Sequence, residues 1–466
     1  MKKTIVILLL IILTVFASVA QEISGAWNGV LTAIPGQNLR LVFNITETDT
    51  GISVNMDSPD QSVFGIPASE ATFESPRLTI IIKQAGIKFD GTLDGDSIAG
   101  TFNQLGSSFP LVLSKNGKKA EKPNRPQEPQ KPYPYVAEDI TFENESGITL
   151  AGTLTMPDKE DKFPATVLIS GSGPQNRNEE LMGHKPFLVL SDHLTRNGIA
   201  VLRFDDRGTG ESEGDFSKAT SFDFAADVEA AINYLGSRKE IDTEKIGLIG
   251  HSEGGLIAPI VASLQPDNVG FIVLLAGPGL PGSEIILMQQ QLIGKASGMS
   301  EEKLKIAVSA NAQIFDLIAE SEKPESLHEE LRNLLNKIIK DNPETVPEGM
   351  ENKQYIDTQV DQLLSPWMTT FLTYDPAIAL ENVLCPVLAI NGENDLQVPP
   401  KENLEKIREA LEKGGNQNIT TIELKGLNHL FQESETGLPN EYGQIEQTFS
   451  PKALDTITTW VKKQVK

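Results

Sequence analysis

From about residue 136 onward, short apolar runs alternate with helical segments, and this alternation restricts the fold most. The runs are four to six residues long and span 166–169, 199–204, 245–249, 271–275, 387–390 and 420–424. Helical patterns follow several of them, at 187–197, 222–235 and 256–264. Strands that are apolar on both faces belong to a mostly parallel sheet covered by helices. We therefore predict an α/β fold, in which ligands bind at the carboxyl ends of the strands.

The interval between the fourth and fifth of these strands breaks the alternation. It contains three helical patterns, at 284–294, 301–321 and 326–341. A long insertion at this place in an α/β sheet is typical of a lid. The sequence predicts a helical cap over about 280–380 within a domain of residues 136–466.

Residues 21–115 have a different pattern. Alternating segments at 39–45, 78–82 and 87–93 are separated by Gly, Pro, Asn and Asp, which is typical of a small all-β domain. Residues 116–135 carry five prolines and predict a semi-rigid linker between the two domains.

The first twenty residues have the three parts of a secretory signal peptide. Met1-Lys2-Lys3 is basic, Ile5 to Phe16 is apolar, and Ala17 to Ala20 are small. No cysteine follows for a lipid anchor. We expect a mature protein that begins near Gln21, lacks a stable membrane anchor and is exported to the periplasm or the medium.

Composition excludes several classes of function. Lys and Arg total 40 against 64 Asp and Glu, a net charge of −24, which opposes binding to nucleic acid. A single cysteine, Cys385, rules out an internal disulfide and a cysteine-based metal cluster. With only five histidines in addition, we expect neither a metal nor a cofactor.

The candidate nucleophile is Ser252, in Gly250-His251-Ser252-Glu253-Gly254. This Gly-x-Ser-x-Gly sequence directly follows a strand and directly enters a helix, as a nucleophile elbow requires. A second match, centred on Ser212, stands several polar residues after its strand. We assign Ser252 as the nucleophile and Ser212 to a structural loop.

A serine nucleophile needs a base, and the base needs an orienting acid. Asp395 and His429 each follow a predicted strand, so both are expected at the same edge of the sheet as Ser252. Glu393 is the rival acid. The order Ser, Asp, His along the chain agrees with that of α/β-hydrolases.

The backbone N–H groups of Ser172 and Glu253 are the candidate oxyanion donors. Ser172 lies in a run of small residues that ends the first of these strands, and Glu253 follows the nucleophile. His251, inside the elbow, is interpreted as a packing residue.

Together these motifs resemble the α/β-hydrolase superfamily over residues 136–466. The resemblance is carried by Gly171–Gln175, Arg203–Gly210, Gly250–Gly255, Asn391–Asp395 and Leu427–His429. The chain is most similar to secreted bacterial carboxylesterases that have a small N-terminal β-domain. Many relatives carry His where this chain has Ser170.

This resemblance implies hydrolysis of short- to medium-chain carboxylic esters, small-molecule substrates, through an acyl-enzyme on Ser252. The alternative is an aminopeptidase-like serine peptidase on the same scaffold. A binding protein on an inactive scaffold is a third reading, which the complete set of Ser, Asp and His disfavours.

Overall fold

The computed structural model describes residues 23–34, 37–48, 51–59, 63–104, 107–115, 124–159, 161–321, 324–346 and 351–466. The predicted signal peptide and its cleavage site lie outside these residues. The chain divides into two compact units, one of them largely before Ala120 and the other largely from Glu121 to Lys466.

The N-terminal unit is one nine-stranded sheet. Its strands are β1 Gly25–Ile34, β2 Gln37–Thr48, β3 Gly51–Ser58, β4 Val63–Pro67, β5 Glu70–Glu74, β6 Arg77–Ile82, β7 Ile87–Asp94, β8 Ser97–Gln104 and β9 Ser107–Ser114. The order across the sheet is β4-β3-β2-β1-β9-β8-β7-β6-β5. Trp27, Phe43 and Phe89 are fully buried in its core. An all-β N-terminal domain is therefore confirmed.

The C-terminal unit is built on an eight-stranded sheet. Its strands are β10 Tyr135–Glu143, β11 Thr149–Pro157, β12 Phe163–Ile169, β13 Ala200–Phe204, β14 Ile241–His251, β15 Phe271–Leu275, β16 Val387–Gly392 and β17 Ile419–Leu424. The order is β10-β11-β13-β12-β14-β15-β16-β17. All pairs from β13 to β17 are parallel, whereas β10 and β11 form an antiparallel edge. The mostly parallel sheet is confirmed.

Helices cover both faces of this sheet, and its central strands β12, β13, β15 and β16 are accordingly buried on both sides. On one face lie α2 Ser221–Ser237, α3 Gly254–Leu264 and α10 Pro400–Lys413; on the other lie α1 Pro186–Arg196 and α11 Pro451–Gln464. Within the described ranges, no helix combines the length and the apolar character that crossing a bilayer requires.

The cap lies between β15 and β16. It contains α4 Gly282–Ala296, α5 Glu301–Glu320, α6 Pro324–Asp341, α7 Asn352–Leu363 and α8 Pro366–Thr373, and α9 Ala377–Leu380 returns the chain to the sheet. The cap has an apolar core of its own, which includes Leu331, Val360 and Leu372. The sequence predicted α4, α5 and α6, but not α7 or α8.

The described part of the predicted linker, residues 124–134, is packed on the C-terminal unit. The Arg125 guanidinium donates to the carbonyl oxygens of Gly183, Met182, Gly443 and Ile445 at 2.7 to 3.2 Å. The compact C-terminal unit thus begins earlier than the predicted residue 136.

Candidate active site

Ser252 lies on a strained turn between β14 and α3. Its φ angle is 51°, a left-handed value that non-glycine residues rarely adopt. The two flanking glycines are required by contact: a Cβ on Gly250 would lie 1.9 Å from the Gly254 oxygen. A Cβ on Gly254 would lie 2.1 Å from the Ile169 oxygen. This geometry is that of a nucleophile elbow.

Ser212, the rival nucleophile, is occupied with structural contacts. Its hydroxyl donates to the carbonyl of Asp205 at 2.7 Å and accepts from the backbone N–H of Ala151 at 2.9 Å. It therefore holds the loop after β13 against β11.

Asp395 and His429 are in direct contact at the carboxyl ends of β16 and β17. The Asp395 Oδ2 lies 2.8 Å from the His429 Nδ1, and both side chains are buried. The other oxygen, Oδ1, accepts from the backbone N–H groups of Gln397 and Val398 at 2.8 and 2.9 Å. These bonds orient the carboxylate. Because its Oδ2 accepts, His429 carries a hydrogen on Nδ1.

Glu393, the rival acid, is exposed and points to a different group. Its Oε2 accepts from the backbone N–H of Gly426 at 2.9 Å. The acid in contact with His429 is Asp395.

A cavity of about 280 Å³ brings Ser252, His429 and Ser172 to one surface. The cap contributes much of its wall through Ile285, Ile286, Gln289, Trp367 and Phe371. The rings of Trp367 and Phe371 are stacked, with centroids 5.2 Å apart. Ser365 caps the start of α8 by accepting from the N–H of Met368, and this fixes where the Trp367 side chain enters the cavity.

The predicted oxyanion segment is held from behind by Asp206. One Asp206 oxygen accepts from the Ser170 hydroxyl at 2.7 Å and the other from the Gln175 N–H at 2.9 Å. In the described part of the chain, the backbone N–H groups of Ser172 and Glu253 have no hydrogen-bond acceptor within the protein. Both remain available for a substrate oxygen at this site.

The Glu253 side chain links the elbow to the cap, a role that the sequence did not predict. Its Oε1 accepts from the Ser221 hydroxyl at 2.6 Å and from the indole Nε1 of Trp367 at 2.8 Å. Burial raises the pKa of this carboxyl, and the hydrogen bonds from Ser221, Trp367 and Ser172 partly oppose that shift.

His251 is also more than the packing residue that the sequence predicted. Its Nδ1 lies 2.8 Å from Oε1 of Glu179, and its Nε2 lies 3.0 Å from the carbonyl oxygen of His429. The sequence signal was faint, because Glu179 stands in an irregular loop 72 residues before its partner.

A family model described as serine aminopeptidase, S33 (Hydrolase_4) matches residues 186–435. The match spans more than half of the 466 residues and includes Ser252, Asp395 and His429. The chain belongs to this family. The predicted α/β-hydrolase resemblance is therefore confirmed, and the protein is a hydrolase.

Relatives of this S33-family hydrolase include Esterase EstD of Thermotoga maritima. It is 25% identical over 339 residues, which cover 71% of this chain and 69% of EstD. An uncharacterized 31.7 kDa protein of Escherichia coli, from the traX-finO intergenic region, is 23% identical over 68% of this chain and 96% of its own length. The solved esterase Pf2001 of Pyrococcus furiosus is 16% identical, with a TM-score of 0.41 over 71% of this chain and 93% of its own.

The S33-family hydrolase should lose stability as the pH rises, because of Asp206. Burial raises the pKa of Asp206 to about 8, against the opposing hydrogen bonds of Ser170 and Gln175. The folded state thus favours the neutral carboxyl, and this stabilisation is complete below the unfolded pKa of 3.8 and lost as the pH rises through about 8.

Asp206→Asn removes this titration while keeping an acceptor for Gln175 and a polar partner for Ser170. We expect the unfolding free energy of the wild type, minus that of the variant, to fall between about pH 4 and pH 8. The steepest slope should approach about 1.4 kcal/mol per pH unit. Urea unfolding at a series of pH values measures this free-energy difference. A difference that does not change with pH would contradict the raised pKa of Asp206.

Proposed function

We propose that the protein is a serine carboxylesterase that hydrolyses short- to medium-chain carboxylic esters through an acyl-enzyme on Ser252. The observation that carries this proposal is the shared cavity, in which Ser252 on its strained turn and the Asp395-oriented His429 both face the same space. A nucleophile, a base and an orienting acid are the three groups that acyl transfer needs.

In the proposed mechanism, the His429 Nε2 accepts the proton as Ser252 Oγ attacks the ester carbonyl carbon. Asp395 keeps the hydrogen on Nδ1 and stabilises the imidazolium that forms. His429 then returns the proton to the alcohol oxygen as the C–O bond breaks. Water attacks the acyl-enzyme with His429 again as the base, which releases the acid and restores Ser252.

Negative charge develops on the carbonyl oxygen in both steps. The backbone N–H groups of Ser172 and Glu253 are the proposed donors to this oxyanion. Support for this role comes from the hydrogen bonds of Asp206, which hold the segment before and after Ser172 without using its N–H.

The charges that line the cavity favour an ester over an aminopeptidase substrate. An aminopeptidase must hold the substrate's α-ammonium group, for which a carboxylate is the usual partner. The carboxylate among the lining residues, Glu179, already contacts His251 and the N–H of Gly171. Nearby Glu253 is engaged by Ser221 and Trp367. The name of the relative EstD supports the same choice.

A serine aminopeptidase is the second candidate, because the matching family is described by that activity. The two candidates differ in the bond that is cleaved and in the charge of the substrate. Esters with uncharged acyl groups test the first, and aminoacyl anilides test the second.

The test is hydrolysis of p-nitrophenyl esters from acetate to palmitate, beside a panel of aminoacyl p-nitroanilides. Each added methylene should raise kcat/KM by up to about fourfold, from about 0.8 kcal/mol of burial, until the cavity is filled. A cavity of about 280 Å³ is small for a ligand site, so palmitate should be a poor substrate. Cleavage of anilides with silence on esters would establish the peptidase instead.

We further propose that the protein is exported to the periplasm or the medium. The support is the signal-peptide pattern of residues 1–20. Fractionation of the producing cells, with N-terminal sequencing of the recovered protein, tests it: a chain that begins near Gln21 agrees, and an intact Met1 in the cytoplasm does not.

A further inference from the structure

A buried carboxylate, Glu179, and the buried histidine of the elbow, His251, contact the oxyanion segment on one side and the His429 loop on the other. Glu179 and His251 have side chains that are 6% and 8% exposed. One oxygen of Glu179, Oε1, lies 2.8 Å from the backbone nitrogen of Gly171 and 2.8 Å from Nδ1 of His251. On the other side of the ring, the His251 Nε2 lies 3.0 Å from the His429 carbonyl oxygen.

The acceptors around the ring show its protonation state. A carbonyl oxygen only accepts, so Nε2 of His251 must carry a hydrogen. Glu179 Oε1 is also an acceptor, already bonded to the Gly171 N–H, so Nδ1 donates as well. Burial alone would lower the pKa of His251, but the Glu179 carboxylate, together with the His429 carbonyl and the charge of Asp395, raises that pKa. The two side chains therefore form an ion pair.

We propose that the Glu179–His251 ion pair is a positioning pair that holds the oxyanion segment and the His429 loop in place around Ser252. Three parts of the site meet at this pair: Gly171 before the proposed donor, His251 before the nucleophile, and the backbone of the proposed base. The inference rests on the proposed function of the same site.

The contacts leave little room for these parts to move independently. A Cβ on Gly171 would lie 3.2 Å from the Ser252 Cβ, so the oxyanion segment packs directly on the elbow. The rings of His251 and His429 are 4.8 Å apart between centroids. Displacing reacting groups by about 1 Å can cost about 10²-fold in rate. Loss of the Glu179 contact with Gly171, or of the His251 contact with the His429 carbonyl, should therefore lower kcat.

The pair also balances charge beside the base. The charged groups that face His251 are Glu179 and Asp395, and His429 becomes a cation during each turnover. An unpaired imidazolium at His251 would oppose that second positive charge. Glu179 neutralises it, which allows a doubly donating histidine to lie next to the base.

Three substitutions change the contacts of the Glu179–His251 pair in different ways. In Glu179→Gln, the amide oxygen can still accept from the Gly171 N–H, but the negative charge that keeps both ring nitrogens of His251 protonated is lost. A neutral His251 has one N–H and cannot donate both to this oxygen and to the His429 carbonyl. His251→Gln places its amide near Nε2 and keeps a donor for the His429 carbonyl. His251→Asn reaches only to the Nδ1 position and loses that donor.

We expect Glu179→Gln and His251→Asn to lower kcat about 10²-fold, with KM within about threefold of the wild type. His251→Gln should recover about tenfold of this loss, because it restores the bond to His429. The Glu179→Gln/His251→Asn double variant should be no slower than the slower single variant. Glu179→Gln should also add an acid-side titration to the pH profile of kcat/KM, because without the carboxylate His251 changes charge at lower pH.

Matched controls are Glu180→Gln, a neighbouring carboxylate in the same loop, and His193→Gln, a histidine on α1 outside the cavity. Both should retain wild-type kcat and pH profile. The proposal is overturned if the Glu179 and His251 variants lower only the melting temperature while kcat and the pH profile of the folded protein stay unchanged.

A second readout separates failure of this inference from failure of the proposed function. The rate at which a fluorophosphonate labels Ser252 requires the nucleophile, base and oxyanion donors but no ester substrate. If the wild type is labelled but hydrolyses no ester, the ester proposal fails. The ratio of labelling rates between variant and wild type still tests the pair, and equal rates would contradict it.

Discussion

Ser252→Ala is expected to lower kcat for ester hydrolysis about 10⁶-fold, the scale of nucleophile loss in serine hydrolases. Alanine has no Oγ to form the acyl-enzyme, so the covalent route is closed. The variant should fold normally, because alanine retains the Cβ and tolerates the 51° φ angle no worse than serine does. Turnover of the preferred p-nitrophenyl ester, beside thermal unfolding, measures both effects.

Ser212→Ala is the matched control for this prediction. It removes a hydroxyl from the other Gly-x-Ser-x-Gly sequence, where the hydroxyl bonds to Asp205 and Ala151. We expect a stability loss of about 1 kcal/mol and kcat within about threefold of the wild type. An inactive Ser212→Ala beside an active Ser252→Ala would reverse the assignment of the nucleophile.

The second large effect is expected for Asp395→Asn, with kcat lowered about 10⁴-fold. Oδ1 accepts two backbone N–H groups, from Gln397 and Val398, so the single oxygen of asparagine should remain there. Its NH₂ group then faces Nδ1 of His429 and donates to it. That forces the ring hydrogen to Nε2, so His429 cannot accept the proton of Ser252.

Glu393→Gln serves as the control for the acid. Glutamine still offers an oxygen to the Gly426 N–H, and the side chain is exposed, so kcat should stay within about threefold of the wild type. Steady-state kinetics of both variants on one ester compare them directly. A severe loss in Glu393→Gln with little change in Asp395→Asn would identify Glu393 as the orienting acid.

The parts of the site that could be predicted from sequence are those tied to regular structure. Buried parallel strands are apolar throughout, and functional residues follow their carboxyl ends, so Ser252, Asp395 and His429 could be located by position. The glycines that flank the elbow in the sequence indicate that no Cβ fits there, and the structure shows this at Gly250 and Gly254.

The parts that could not be predicted depend on contacts between irregular segments. Glu179 has no periodic relation to His251, and nothing local distinguishes it from Glu180. For Glu253, the sequence predicted a role only for the backbone N–H. Its carboxylate contacts Trp367, which lies in helix α8, and that helix was not predicted. The antiparallel strands β10 and β11 were not predicted, because polar residues interrupt their apolar positions and neither contains a continuous apolar run.

The attachment of Arg125 decides where the hydrolase unit can be cut from the rest of the chain. Four carbonyl groups, two on the loop before α1 and two on the segment before α11, share this one guanidinium as donor. A shortened protein that starts at residue 136 would expose them and release two surface segments at once. A start at residue 124 retains the guanidinium, so the prolines that follow Arg125 belong to the hydrolase unit and not to a linker.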